Sequence, residues 1–217
     1  MENNTSIEFF CGNKSFSNFA KSIGYRVFTL DINKKFEPDL CMDILNFRVS
    51  MLPKGFQKPD VVWFSPPCEK FSHANRSKDK DLTLSILYVK KSLKLIKEFL
   101  KINPNLKWVL ENPQTGTLKK QKFMDNLPFT DVSYCQYGLP YRKQTRLWNN
   151  ANLKLLTCKK DCEFMEGKKH IMSVGNGRKK YTKKSYSREE KYHIPQILIL
   201  EILKQLRKKE VSIPPTS

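Results

Sequence analysis

One stretch limits what this chain can fold into more than any other: Asp60 to Ser72, which reads Asp-Val-Val-Trp-Phe-Ser-Pro-Pro-Cys-Glu-Lys-Phe-Ser. The apolar run Val61, Val62, Trp63, Phe64 has the length of a fully buried strand, and it halts at two prolines. Proline fixes φ and pushes the preceding residue out of the helical region. Ser65-Pro66-Pro67 must therefore leave the strand as a stiff, extended loop with Cys68 mounted on it. In parallel α/β sheets the ends of strands are where ligands bind and chemistry happens. The alternative for Cys68 alone is a buried structural thiol after a proline turn.

A second stretch repeats the design. Lys107 to Pro113 reads Lys-Trp-Val-Leu-Glu-Asn-Pro, so an apolar strand again ends in polar groups and a proline, with Glu111 and Asn112 at its tip. Between the two lies a long helical pattern. Leu82, Ile86, Val89, Leu93, Ile96 and Leu100 recur every three or four residues, while Lys90, Lys91, Lys94, Lys97 and Lys101 fall elsewhere on the wheel. Asp81 can cap this helix and Asn103-Pro104 ends it. A helix of that length is the crossover that makes the two strands parallel neighbours.

Upstream, Ile7 to Phe10 reads as a first strand, Cys11-Gly12-Asn13-Lys14-Ser15 as a turn, and Phe16 to Ile23 as a helix that stops at Gly24. Strand, glycine turn and helix N-terminus make a nucleotide-type cradle. Arg26 to Leu30 is the second strand and ends on Asp31, where a carboxylate can accept two hydrogen bonds from ribose hydroxyls. Asp43 closes an expected third strand, or else caps a turn. Residues 131 to 149 read as two more strands.

Cys68 in its Pro-Pro-Cys loop, with Glu111-Asn112 after a later strand, resembles the cytosine-5 DNA methyltransferase family. The segment Tyr137-Gly138-Leu139-Pro140-Tyr141 is similar to the family's Tyr-Gly-Val-Pro-Gln motif, with Lys143 and Thr145 standing where its two arginines follow. The resemblance covers Phe9 through Trp148 and returns near Ile194-Pro195. It implies a Rossmann-like class I S-adenosylmethionine-dependent methyltransferase fold, α/β, with a mostly parallel sheet and helices on both faces. It further implies a methyl transfer to carbon 5 of cytosine in DNA, the base being flipped out of a duplex or supplied single-stranded. Cys68, beside Pro67, is then the nucleophile, Glu111 the acid that hydrogen-bonds ring nitrogen 3, and Asn112 the residue that positions the loop. Lys143 would orient the base or its phosphate. Phe10, Gly12, Asp31, Ile32, Asp43, Ile44 and Pro66 would line the cofactor site. The chain departs from the family's Phe-x-Gly-x-Gly-Gly turn, keeping only Phe10 and Gly12.

The charge concerns the substrate. Lysine and arginine number 40 against 21 acidic residues, a formal net charge of +19. Residues 142–217 hold 19 of the 40 basic residues and 7 of the 21 acidic ones, so the positive field belongs mainly to the last third. A polyanion suits such a surface, because each neutralised phosphate releases a counterion. Lys143, Arg146, Lys179, Lys180, Lys183 and Lys184 are the expected DNA contacts, and Tyr181 and Tyr186 interleave aromatic faces with them.

Family members usually carry a large target-recognition domain where this chain has about forty residues. The expected division is a catalytic domain over 1–149, a small basic DNA-contact segment over 150–192, and a C-terminal helix over 193–217 that packs back on the catalytic domain. Cys158, Cys162 and His170 offer three soft ligands, but zinc prefers four and the sequence suggests no fourth. The expectation is therefore no metal, with zinc as the alternative. No signal peptide or spanning segment is evident, so an intracellular protein with reduced thiols is expected. Three rival readings stay open: an amino-group methyltransferase, an RNA cytosine methyltransferase, and a DNA-binding protein on a decayed methyltransferase scaffold.

Overall fold

The computed structural model describes residues 4–71, 81–172 and 192–207. Its centre is a seven-stranded sheet in the order β3-β2-β1-β4-β5-β7-β6. The strands are β1 (Thr5–Phe9), β2 (Arg26–Asp31), β3 (Leu40–Cys41), β4 (Val61–Phe64), β5 (Lys107–Pro113), β6 (Phe129–Ser133) and β7 (Gln144–Asn149). The first five run parallel; β7 is antiparallel to both β5 and β6. The order reverses between β1 and β4, and in open parallel sheets that switch opens a crevice beyond the strand ends.

Helices cover both faces, as the buried strands require. On one face lies α2 (Thr83–Ile102), sealing a core that includes Ile7, Phe9, Leu30, Val62, Phe64 and Leu110. On the other lie α1 (Ser15–Ser22) and α3 (Gln196–Arg207), packed over Val27, Trp63, Val109 and Leu147. Period-two alternation along each strand sorts Phe9 and Phe64 to the first core and Trp63 to the second. Phe9 stacks on Phe64 at 4.5 Å, locking β1 to β4 on one face, and Phe16 of α1 stacks on Trp63 at 4.9 Å, seating that helix on β4 from the other.

One expectation is extended here and one is corrected. The buried face of α2 is centred on Ser85, Val89, Ser92, Leu95, Ile96 and Phe99, while Leu82, Ile86, Leu93 and Leu100 flank it half-buried. All six residues of the expected stripe lie in or against the first core, which Ser85, Ser92, Leu95 and Phe99 widen, and Ser92 returns its hydroxyl to the Tyr88 carbonyl at 2.9 Å. The third strand is only two residues long, and Asp43 lies beyond it, capping a single 3-10 turn by accepting from the Leu45 N–H at 2.9 Å.

Among the described residues no helix is long and apolar enough to cross a membrane.

Candidate active site

Register aligns the site. Leu30, Phe9, Phe64 and Leu110 are successive partners across β2, β1, β4 and β5. The next residue of each strand, Asp31, Phe10, Ser65 and Glu111, therefore lies along one edge of the sheet. That single row joins the expected cofactor residues to the expected catalytic ones.

On the β1–β2 side the chain turns sharply. Phe10, Gly12 and Lys14 all take positive φ, at 58°, 45° and 56°. Gly12 suits this without strain, and a Cβ built on it would meet nothing within 4 Å, so the turn faces open space. Lys14 turns its amine to the Glu37 carbonyl at 2.5 Å. Asp31, 8 % exposed, accepts from the Gly12 N–H at 2.9 Å and the Asn33 N–H at 2.8 Å. Its carboxylate thus shapes the turn and keeps lone pairs for a ligand hydroxyl. Ile32 beside it is 60 % exposed, an apolar face of the kind a purine covers. Ile44, expected at the cofactor site, is 2 % exposed and packs its side chain into the core. Phe10 meets the Tyr88 ring edge-on at 5.7 Å, and Tyr88 hydrogen-bonds Asp43; burial, then the Asp43 charge, raises the Tyr88 pKa. An open glycine turn, a strand-end carboxylate and an exposed isoleucine are a donor set and shape that fit an adenosyl group.

Beneath this turn lies Glu8, which the sequence reading passes over because it sits inside a strand. It is 2 % exposed and accepts from both the backbone N–H and the hydroxyl of Ser17. It thereby caps α1, whose preceding residue Lys14 provides no side-chain cap. Burial raises its pKa to about 7, against the Ser17 and Phe16 hydrogen bonds and with some help from the Asp31 charge.

The β4–β5 side carries the proline loop, tied down at both ends. The Ser65 N–H donates to the Phe9 carbonyl at 3.3 Å, and the indole N–H of Trp63 donates to the Ser65 hydroxyl at 3.0 Å. Asn112, fully buried, donates through Nδ2 to the Pro66 carbonyl at 3.1 Å. Past Cys68, buried Phe71 accepts from the Thr117 N–H at 2.9 Å. Gly116 makes that closure possible, since a Cβ there would lie 3.1 Å from the Pro113 carbonyl oxygen and 3.2 Å from that of Phe71. Gly116 and Thr117 were missed in the sequence; a Gly-Thr pair just after Asn-Pro was the available signal. Cys68 itself is half-buried and reduced.

Across from the loop, Glu111 pairs with Lys143, Oε1 to Nζ 3.9 Å, each side chain 12 % accessible. The ammonium also sits over the Tyr134 ring, 4.6 Å from its centre. Tyr134 is fully buried, and burial, then the Glu111 charge, pushes its pKa well up. Its hydroxyl faces the Thr145 and Glu111 side chains, while Asn112 Oδ1 finds no hydrogen-bond partner among the described residues. Tyr192 and His193, just before α3, return to the same region. The Tyr192 hydroxyl donates to Glu69 at 3.1 Å and His193 Nδ1 lies 3.2 Å from the Ser15 hydroxyl. Burial, then the Lys143 charge, lowers the His193 pKa. These two residues were not anticipated.

Arg146 behaves differently from the expected DNA contact. It partners Asp131 in the β6–β7 register and forms two bonds to that carboxylate, 2.7 and 2.8 Å, with its guanidinium 3.6 Å from the centre of the Phe129 ring. A fork held this way is committed within the sheet edge. Lys179, Lys180, Lys183 and Lys184, with Tyr181 and Tyr186, lie outside the described residues.

A comparison with characterised sequences is decisive for the family. The chain is 30 % identical over 207 residues to the frog virus 3 (isolate Goorha) protein named "Probable DNA (cytosine-5)-methyltransferase", covering 85 % of this chain and 91 % of the viral one. The chain belongs to the cytosine-5 DNA methyltransferase family. This is a family of S-adenosylmethionine-dependent enzymes. No protein-family model matches the chain. Among solved structures, the Entamoeba histolytica methyltransferase EhMeth matches 95 % of this chain and 98 % of its own, with a TM-score of 0.54 at 12 % identity, a likeness of fold. S. pombe Dnmt2 and a Spodoptera frugiperda DNMT2 mutant give TM-scores of 0.48 and 0.43 at 16 % and 17 % identity, over 70 % and 69 % of this chain. This chain spans about half the length of those two proteins, 52 % and 50 %.

One further cluster was only partly foreseen. Cys158, Cys162 and His170 come together as the sequence suggested, and the fold adds Cys135, so four side chains converge. The expected absence of a fourth partner is corrected here. Cys135 lies 23 residues before Cys158, across β7, and only the pairing of β6 with β7 brings it back.

Proposed function

We propose that this methyltransferase acts on carbon 5 of cytosine in DNA through a transient covalent bond to Cys68. The observation that carries the reading is the tethering of the Cys68 loop by Asn112, the neighbour of Glu111 on the same strand. One rigid strand end thereby sets the nucleophile and the acid relative to each other.

Cytosine carbon 5 is a weak nucleophile until something adds to carbon 6. Cys68, as thiolate, forms the sulfur–carbon 6 bond, and the displaced ring electrons collect at nitrogen 3, which takes a proton from Glu111. Carbon 5 then carries the nucleophilic electron pair. S-adenosylmethionine, when bound, would supply the methyl group that carbon 5 takes up and would leave as its neutral thioether. Loss of the carbon 5 proton to water, cleavage of the carbon 6–sulfur bond and return of the nitrogen 3 proton to Glu111 restore both Cys68 and Glu111 to their starting states. Lys143 keeps Glu111 oriented and places a positive charge where the base or its phosphate enters. Phe10, Gly12, Asp31 and Ile32 hold the adenosyl end, beside Pro66.

Target choice is short or lax in this proposal. Reading several bases needs an array of side chains in a groove, each good bidentate contact contributing about 1–3 kcal/mol of discrimination. Lysines and tyrosines at 179–186 meet phosphates and base faces, which every sequence presents.

The test is mechanism-based trapping. DNA carrying 5-fluorocytosine stalls with its adduct intact, because fluorine cannot leave as a proton. A cofactor-dependent adduct with DNA that disappears in Cys68→Ser supports the proposal. An adduct formed only with fluorinated RNA would move the substrate to RNA, and no adduct with either would favour a decayed scaffold.

A further inference from the structure

We infer that Cys135, Cys158, Cys162 and His170 bind a single zinc ion that staples residues 153–172 to the catalytic sheet. The four ligand atoms all lie within 4.8 Å of one another. His170 Nε2 is 3.4 Å from the Cys158 sulfur and 3.3 Å from that of Cys162. Zinc bonds of about 2.3 Å to sulfur and about 2.0 Å to nitrogen, set tetrahedrally, place ligand atoms roughly 3.5–3.8 Å apart. The observed spacing surrounds one ion and leaves no room for a cluster of several. Three thiolates and an imidazole close all four positions, which is the pattern of a structural site.

The surroundings are built for such an ion. Cys135 and Cys158 are each 2 % exposed and Cys162 is 9 % exposed, yet none is in a disulfide. The Lys160 N–H donates to the Cys158 sulfur at 3.3 Å from a backbone held at φ 70°, a second layer that supports a thiolate. Arg142 donates to the Cys158 carbonyl at 3.0 Å and fixes that loop against the turn after β6. The charges of Arg142 and Lys160 act on His170, and they would offset the net negative charge of three thiolates on one divalent cation.

Residues 153–156 are anchored to the second core and to α3, with Leu153 buried and Lys154 bonded to Gln205, but beyond them the segment has little regular structure of its own. Its two strands, β8 (Met165–Glu166) and β9 (Lys169–His170), are two residues each. Its own core is the three cysteines with Phe164 and Met165 packed against them. So small an apolar core cannot order a segment alone, and metals are the usual remedy. The ligands come from three places: the 3-10 turn Tyr134–Tyr137, the loop after β7, and the β8–β9 hairpin. Metal binding thus ties the hairpin to the turn that carries Tyr134, under Lys143.

The experiment measures metal directly on the full-length protein purified under reducing conditions. Elemental analysis should find one equivalent of zinc per chain. Unfolding with a chelator, then refolding with cobalt, should give the visible bands of tetrahedral cobalt bound to thiolates. Cys135→Ser, Cys162→Ser and His170→Ala should each lower zinc content to a small fraction, whereas Cys41→Ser, at an exposed cysteine outside the cluster, should keep it. Wild-type protein that carries no zinc and gives no thiolate–cobalt bands overturns the inference, and needs no variant to fold. So does a disulfide between any two of the three cysteines in protein handled without added oxidant, or a cobalt spectrum that survives Cys162→Ser.

Discussion

Replacing Glu8 with glutamine should make the protein more stable near neutral pH and change nothing, or slightly the reverse, in acid. The carboxyl is buried beneath the β1 turn and holds its proton to a pKa of about 7, against a reference of 4.5. Between those values the unfolded chain releases a proton that the folded chain keeps. The folded state binds more protons there, so stability falls as pH rises from 4.5 to about 7 and is level above. The gap of about 2.5 units corresponds to about 3 kcal/mol, at 1.36 kcal/mol per unit. Glutamine keeps an acceptor oxygen for the two Ser17 donors and has no charge to desolvate. The assay is urea unfolding of both proteins across this pH range, with the paired difference cancelling groups common to both. The difference should swing toward the variant by about 3 kcal/mol between the two ends of the window. A difference that does not change with pH, or one that swings toward wild type, would refute the reasoning.

Other outcomes follow from the same geometry. Asn112→Ala should destabilise by about 1–3 kcal/mol, seen in denaturant unfolding, and slow adduct formation in the 5-fluorocytosine assay by more than that loss explains. Gly116→Ala forces its Cβ against two backbone carbonyl oxygens and should slow trapping about tenfold or more, while calorimetry shows cofactor binding unchanged. Asp31→Ala removes the acceptor for Gly12 and Asn33 and should abolish cofactor binding in calorimetry. Replacing Lys179, Lys180, Lys183 and Lys184 together should weaken binding to all DNA sequences alike and flatten its salt dependence, and bisulfite sequencing should find methylation spread over many contexts rather than one motif of several bases.

Much of the fold is local, and so was legible. Val61 to Phe64 and Trp108 to Leu110 are apolar runs stopped by proline, and such punctuation needs no tertiary knowledge. The row that aligns Asp31 with Glu111 is a matter of register, which parallel strands fix through packing. Glu8 shows the opposite case. Nothing in Ile-Glu-Phe tells a buried capping carboxylate from a solvated one until α1 is laid over it. Cys135 was hidden because its partners lie beyond an intervening strand. The contact face of α2 is wider than its apolar stripe because Ser85 and Ser92 are buried in it and carry no apolar signal. Ile44 turned inward because a 3-10 turn, rather than a continuing strand, follows Asp43.

The proline loop is an arch with both footings on a single neighbour, Asn112 at one side and Thr117 at the other. The arch and its acid neighbour are therefore held against each other by one stretch of chain. Whatever shifts on engaging nucleic acid must do so around this stretch. Changes in the basic segment should accordingly register in how tightly substrate is held, while the turnover of bound substrate stays nearly constant. A segment with a different preference could be exchanged there without retuning the chemistry.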